Sequence, residues 1–449
     1  MLHAMSNLPD HDRAPPAPRF GEALRFWFKL GCISFGGPAG QIALMHEELV
    51  VRRRWISERR FLHALNYCML LPGPEAQQLA TYMGWLLHRA RGGIAAGALF
   101  VLPSLLLLIA LSWLYMAYGH TGWMSALFYG IKAAITAIVL QAAWRLGQRV
   151  LRRDTRLWTL AGAAFVAIFA LQLPFPLIIA AAALLGWLWR DRLAPTAGGH
   201  PSAGAPSPGL AVIDDHSPPP AHARFSRRRL GWQLLAAALL WGLPLLTLWS
   251  LPLLPQLGLF FSKAALLTFG GAYAVLPYVF QGAVHQHGWL SAGQMMDGLA
   301  LGETTPGPLI MVLAFVGFVA GWQDPALLAA LQAAPWVAGA LAACVVTWFT
   351  FLPSFVFIMA GGPLVESTHG NLRLSAPLTA ISAAVVGVIL NLALFFAYHL
   401  LWPQGFAGSF EAPAALLALG AAAALIWARR GVLEVLLVCA LLGWVMKAV

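Results

Sequence analysis

Residues 92–118 run for 27 positions without a charged side chain, and 174–189 and 231–251 are also uncharged. At ~1.5 Å per residue, a helix of that length reaches about 40 Å, more than a ~30 Å hydrocarbon layer requires. The composition agrees with a bilayer. Only 10% of the 449 residues are Asp, Glu, Lys or Arg, whereas a soluble domain carries about 25%. Such a chain cannot clothe a globule in polar side chains, and the same figures exclude a disordered or collagen-like chain. The expected fold class is an all-α polytopic membrane protein.

The net charge of +11 would suggest nucleic acid in a soluble protein. In a membrane protein the placement of the charge decides, and no nucleic-acid partner is expected. Cys32, Cys68, Cys344 and Cys439 lie in apolar segments without a CxxC spacing, so they read as small buried residues. The first twenty residues are polar and Pro-rich and lack the apolar core of a cleaved signal peptide.

Two halves of the chain align with each other. Lys29, Phe35, Gly36 and Gly37 recur 234 positions later as Lys263, Phe269, Gly270 and Gly271. The same offset pairs Trp55 with Trp289 and Pro72-Gly73-Pro74 with Pro306-Gly307-Pro308. Farther on, an offset of 250 pairs Leu102-Pro103-Ser104 with Leu352-Pro353-Ser354. The expected organisation is a disordered cytoplasmic tail (1–21), a first transmembrane repeat (22–193) and a disordered cytoplasmic linker rich in Pro, Gly, Ser, Ala and His (194–229). One extra helix (230–251) and a second repeat (252–449) complete it.

Each repeat opens with two elements broken by glycine and proline. In the first repeat, 22–35 and 39–51 flank Gly36-Gly37-Pro38, and 61–71 and 75–88 flank Pro72-Gly73-Pro74. Pieces of this length reach only ~17–21 Å as helices, too little to span alone. They either stack into a broken span or fold back as a hairpin. The charges favour hairpins, because 23 of 28 Lys and Arg precede residue 230, in clusters such as Arg52-Arg53-Arg54. If the hairpins return to their own side, with crossings at 91–118, 122–148, 157–172 and 174–189, these clusters fall together in the cytoplasm. The extra helix then turns the second repeat upside down, as an inverted-topology repeat. Its hairpin loops, 282–294 and 321–325, lack Lys and Arg as the outer face demands. The N-terminus is expected in the cytoplasm and the C-terminus in the periplasm; nine to thirteen ordinary helices are the alternative.

Several residues within the apolar elements carry possible chemistry. Lys29 and Lys263 occupy equivalent positions; they either line an anion site or snorkel to opposite interfaces. The half-helices after Gly36-Gly37-Pro38, Gly73, Gly270-Gly271 and Gly307 present unpaired N–H groups suited to an oxyanion, or else the glycines are packing hinges. Glu75, Gln77 and Gln78 follow Pro74, and Glu303, Thr304 and Thr305 precede Pro306. Glu75 and Glu303 are the candidate proton carriers; a helix-end acid is the plain reading of Glu75. Asn66, Asn391 and Gln141 read as interhelical hydrogen bonds, and the His46 and His285-Gln286-His287 groups only loosely resemble metal ligands. No nucleotide, zinc-protease or nucleophile-elbow motif occurs, so no enzyme, cofactor or metal is expected, and energy must come from an ion gradient, the membrane potential or a partner.

At Phe35-Gly36-Gly37-Pro38 and Leu71-Pro72-Gly73-Pro74-Glu75-Ala76-Gln77-Gln78 the chain resembles the bacterial chromate ion transporter family. The resemblance covers about 22–449 outside the linker and rests mainly on the second run. It implies secondary active export of chromate, a sulfate-like tetrahedral dianion, across the inner membrane, and with it chromate resistance. A sulfate or other oxyanion carrier and a passive anion channel are the alternatives, and a homodimer is open to it. The second half departs from the family's motifs: Ala272 stands opposite Pro38 and Leu309 opposite Glu75. An exactly two-fold site is thereby in doubt.

Overall fold

A computed structural model describes residues 15–35, 37–119, 121–152, 154–189, 210–215, 220–269, 271–367 and 375–448. Gly36, Gly270, Arg190, Arg192, Arg373 and residues 1–14 lie outside these. The elements in order are α1 (Phe20–Ile33), α2 (Gly37–His46), α3 (Glu58–Cys68), α4 (Glu75–Tyr118), α5 (Gly122–Val150), α6 (Thr155–Phe169), α7 (Phe175–Leu188) and α8 (Arg227–Thr247). They continue as α9 (Leu254–Leu266), α10 (Ala272–Phe280), α11 (Ala292–Thr304), α12 (Val312–Gln323), α13 (Pro325–Leu331), α14 (Pro335–Ser367), α15 (Ser375–Leu401), α16 (Ala412–Ile426) and α17 (Val432–Ala448). Among the described residues, α4, α5, α8, α14 and α15 are long and apolar enough to cross a bilayer; Leu309–Gln323 with Pro325–Leu331 makes a sixth if that pair, bent by 75°, is one span. The protein is an all-α polytopic membrane protein. Two segments read as crossings, 157–172 and 174–189, form helices α6 and α7 of 15 and 14 residues, about 22 Å and 21 Å long and shorter than a full span.

The first broken element doubles back. Arg53, just past its second piece, reaches Glu22 at the start of α1 at 3.2 Å and lies over the Phe26 ring. Stacked end to end, the two pieces would hold these residues roughly 40 Å apart. The second element also doubles back. Arg60 near the start of α3 and Tyr82, two turns into α4, both bind Glu366. α4 is not one straight helix: His88 and Arg89 leave helical geometry, Arg89 with φ +59. Gly84 and Gly92 meet there backbone to backbone, so the half-helix after Glu75 lies against the long helix that follows. His88 Nε2 donates to the Pro18 carbonyl at 2.9 Å, which puts the end of that half-helix beside the entry to α1.

Part of the element order recurs in both halves, although α13 has no counterpart in the first. Glu47–Arg52 and Gln281–Gln286 are both π-helical turns, 234 positions apart. α6 and α7 pack on α15 of the other half, and α16 and α17 pack on α5. Gly93 of α4 faces Met359 of α14, and Gly97 faces Phe355. Rising numbers on one helix meet falling numbers on the other, so these long helices run antiparallel.

The span read as a disordered linker is ordered in part. Val212 and Ile213 donate to the carbonyls of Arg54 and Trp55 at 3.0 and 3.1 Å, and Ser57 N donates back to Ile213. Arg60 Nε donates to the Asp214 carbonyl at 2.9 Å, and His222 Nε2 to that of Trp85. Val212 and Ile213 are apolar in an otherwise polar stretch, and open backbone groups at the hairpin base satisfy their N–H groups. α8 begins at Arg227 rather than 230; its exposed apolar face lies outermost, tied to α14 by Trp348 Nε1 donating to the Leu240 carbonyl.

Candidate functional site

The helix breaks of the two halves interlock. Gly73 N donates to the Thr268 carbonyl at 2.8 Å, and Gly307 N donates to the Ser34 carbonyl at the same distance. Residues 73 and 307, and 34 and 268, are 234 apart, so this is one contact made twice with the halves exchanged. Each glycine also abuts the partner half's serine: Gly73 lies against Ser354, and Gly307 against Ser104. Positive φ explains why glycine stands here, at +121 for Gly73, +102 for Gly307, +102 for Gly271 and +75 for Gly37.

The helices leaving these breaks start without side-chain caps at Pro74, Gly271 and Pro308. Their first N–H groups carry partial positive charge and have no partner within the helix. Polar side chains gather beside them. Buried Gln41 bridges the halves, its Nε2 donating to the carbonyls of Gly307 at 2.6 Å and Ser34 at 3.2 Å. Gln78 Nε2 donates to the Pro72 carbonyl at 2.7 Å, and Gln77 Nε2 to Thr81 Oγ1. The Oε1 atoms of Gln41, Gln77 and Gln78 and the Ser104 hydroxyl are buried without a partner. Bare polar atoms in a dry interior are costly, about 1–3 kcal/mol each, and mark a place for a polar guest. The first half supplies all three glutamines, with Val275, Met311 and Val312 opposite them, while the second half adds the Ser354 hydroxyl, 3.3 Å from Gln78 Nε2.

The two acids differ in surroundings. Glu75 is half-buried at the start of α4, and the cation whose field reaches it is Arg149 of α5. Glu303 accepts a hydrogen bond from Tyr273 of α10. Arg145, one turn before Arg149, acts on that tyrosine. Both arginines are exposed.

The residues named from sequence separate accordingly. Gly37, Pro38, Gly73, Glu75, Gln77, Gln78, Gly271, Glu303 and Gly307 sit at or beside the interlocked breaks, while Gly36 and Gly270 lie outside the described residues. Thr304 and Thr305 donate their hydroxyls to the carbonyls of Leu301 and Gly302, one turn back. That spends the donors that an anion needs. Lys29 and Lys263 lie on the exposed faces of α1 and α9, opposite the packed faces that lead to Ser34 and Thr268. Gln141 bonds the Leu425 carbonyl between helices, and His46 pairs with Glu58. Sequence reasoning passed over Gln41, Ser104, Arg145, Lys132 and Asp297. Lys132 and Asp297 carry the same signal as Lys29, a charge inside an apolar segment; the serines were visible only as a repeat match.

The chain matches the chromate transporter family in two stretches, residues 21–187 and 255–444, one in each half. It is 34% identical to a chromate transport protein of Pseudomonas aeruginosa over 388 residues, 84% of this chain and 81% of that one. It is 29% identical to a chromate transport protein of Cupriavidus metallidurans over 405 residues, 90% and 87% of the two chains. A probable chromate transport protein of Synechococcus elongatus is 29% identical over 380 residues, 83% and 84% of the two. No solved structure matches the chain. With matches that span both halves and most of each relative, this is a membrane transporter rather than an enzyme, and it belongs to the chromate transporter family.

Proposed function

We propose that the protein is a secondary active transporter that exports chromate across the bacterial inner membrane and so confers chromate resistance. The observation that carries this reading is the pair of interlocked breaks, where uncapped helix starts and bare polar atoms converge. Partial positive charge from helix ends and glycine-exposed backbone suits a tetrahedral dianion. A dianion leaving a cell that is negative inside gains about 5 kcal/mol per 100 mV, so the potential alone favours export. The family match supplies the choice of chromate. The test is chromate counterflow with the purified protein in liposomes. Saturable exchange competed by sulfate is expected; a large unsaturated flux would mean a channel, and exchange of sulfate but not chromate a sulfate carrier.

The halves are read as an inverted-topology repeat around this site. The antiparallel pairing of α4 with α14 and the exchanged packing on α5 and α15 support it. Single cysteines near Arg54 and in the linker are expected to be labelled only from the cytoplasm, and one near Gly288 only from outside. Labelling of both hairpin bases from one side would sink the inversion.

Lys29 and Lys263 are read as cations along the approach of the anion, with the glycines, Glu75, Gln77 and Gln78 at its end. Gln at either lysine is expected to abolish chromate transport at normal membrane levels of protein. Arg is expected to fail too, since a planar guanidinium does not replace a compact ammonium. Wild-type transport by both Gln variants would show that the lysines only snorkel.

A further inference from the structure

Two clusters of a cation, an acid and a tyrosine lie away from the breaks. In one, Glu366 of α14 accepts from Arg60 at 3.3 Å through Oε2 and from Tyr82 at 2.7 Å through Oε1. Both oxygens are used, and both side chains are nearly buried, at 9% and 12% exposure. A satisfied pair with an arginine that never loses its proton is a structural tie. The other cluster is built differently. Asp297 of α11 is 4% exposed. Its Oδ2 takes both contacts, Lys132 of α5 at 3.3 Å and the Tyr115 hydroxyl of α4 at 2.8 Å. Its Oδ1 is buried with no partner at all. The Ser112 hydroxyl, one turn before Tyr115, is also buried and bare.

We propose that Asp297, Lys132 and Tyr115 form a proton-binding site, separate from the breaks, in which protonation of Asp297 uncovers the Lys132 ammonium for an anion passing that face. The bare Oδ1 is the open position for the proton. A proton from water adds to the carboxylate, Lys132 keeps its own proton, and the pair passes from neutral to a net charge of +1. Lys132 is the member that water reaches, with 30% of its side chain exposed against 6% for Asp297. A dianion at Lys132 is repelled by the carboxylate and not by the acid, so proton and anion binding reinforce each other.

The groups that face Asp297 restrict the site to these three. Lys132 and Tyr115 are the charged and hydrogen-bonding groups that act on it. Leu309–Met311 and α12, which pack on α11, carry no titratable side chain. The titratable groups of α15 and α17, also packed there, are Tyr398, His399, Glu434, Cys439 and Lys447, and none of them is among the groups that act on Asp297. On the topology proposed above, the site lies in the outer half, between the hairpin base at Ser291 and the break at Gly307. The proposal rests on the transport reading for its anion.

The test is exchange of radiolabelled chromate in liposomes across a pH series, for wild type and variants at matched protein content. Chromate itself takes up a proton in this range, so the readout is the difference between profiles. The wild type is expected to show a step that Asp297→Asn lacks, while that variant still exchanges chromate. Asp297→Glu is expected to restore the step. Tyr115→Phe keeps the pair and removes a bond that only the carboxylate needs, so the step is expected to move to higher pH. It serves as the second measurement if Asp297→Asn does not reach the membrane. An unchanged profile in Asp297→Asn, no shift in Tyr115→Phe, or loss of all exchange in Asp297→Asn at normal protein levels would each overturn the proposal. Failure of the transport reading looks different, because then the wild type itself exchanges no chromate.

Discussion

Alanine at Gly307 is expected to abolish chromate transport, and alanine at Gly73 to do the same. Both glycines have strongly positive φ, +102 and +121, where a Cβ is strained by about 1–3 kcal/mol. Both also lack room. A Cβ on Gly307 would meet Ser104 Cβ at 2.7 Å, and one on Gly73 would meet Ser354 Oγ at 2.5 Å and Gln78 Nε2 at 2.6 Å. Overpacking of that kind adds about 1–3 kcal/mol, so the combined cost is about 2–6 kcal/mol. At Gly307 the Ser104 Cβ cannot turn aside, so the loop must withdraw and lose its N–H bond to Ser34. At Gly73 the Ser354 hydroxyl and Gln78 amide can turn away only by giving up their contact with each other and the Gln78 bond to Pro72. Gly271 and Gly37 provide the contrast, with positive φ and nothing within 4 Å of a new Cβ. Alanine there is expected to cost only the strain and to leave measurable transport. Counterflow and detergent melting of the four variants would check the ranking; wild-type transport by Gly307→Ala would refute the interlocked breaks as the site.

Glu75→Gln is expected to keep chromate exchange and to lose its dependence on a pH gradient. The carboxylate sits at an uncapped helix start, where N–H groups and the helix dipole favour its charge. A dianion bound at the same breaks opposes that charge. If the anion prevails, Glu75 takes up a proton as chromate binds and releases it after unloading, and coupling follows from electrostatics without a large movement. Counterflow with and without an imposed pH gradient separates the outcomes. Unchanged pH dependence in Glu75→Gln would leave the residue a helix-end acid. Loss of exchange itself would make it part of the binding site or of the fold.

The glycine prediction follows from residues that the sequence already displayed, but its magnitude does not. Pro72-Gly73-Pro74 and its copy showed that the chain breaks there and that a backbone needing glycine was in place. That each break donates to the other half, and that a serine some 200 to 280 positions away blocks any side chain, required the packed structure. The bend at His88 and Arg89 falls where the sequence reading ends a half-helix at 88 and opens a crossing at 91. It is held by contacts on either side, Gly84 on Gly92 and His88 on Pro18.

Apolar runs were sufficient to identify a polytopic membrane protein, and the Pro72-Gly73-Pro74-Glu75 run pointed to its family, because bilayer thickness acts on local stretches of chain and a motif is read in place. Which charges meet is another matter. Lys29 and Lys263 stand at matching repeat positions, which left an anion site and snorkelling both open, and both lie on the exposed faces of their helices. Lys132, also a charge inside an apolar helix, reaches Asp297 165 residues away, and that carboxylate takes a second bond from a tyrosine of a third helix. Arg60 and Glu366, likewise far apart, close a tie that leaves no oxygen free. A charge in a bilayer must find a partner or water, and periodicity along the chain gives only the face it stands on. The partner is chosen by how the two halves pack, and that choice belongs to the tertiary structure alone.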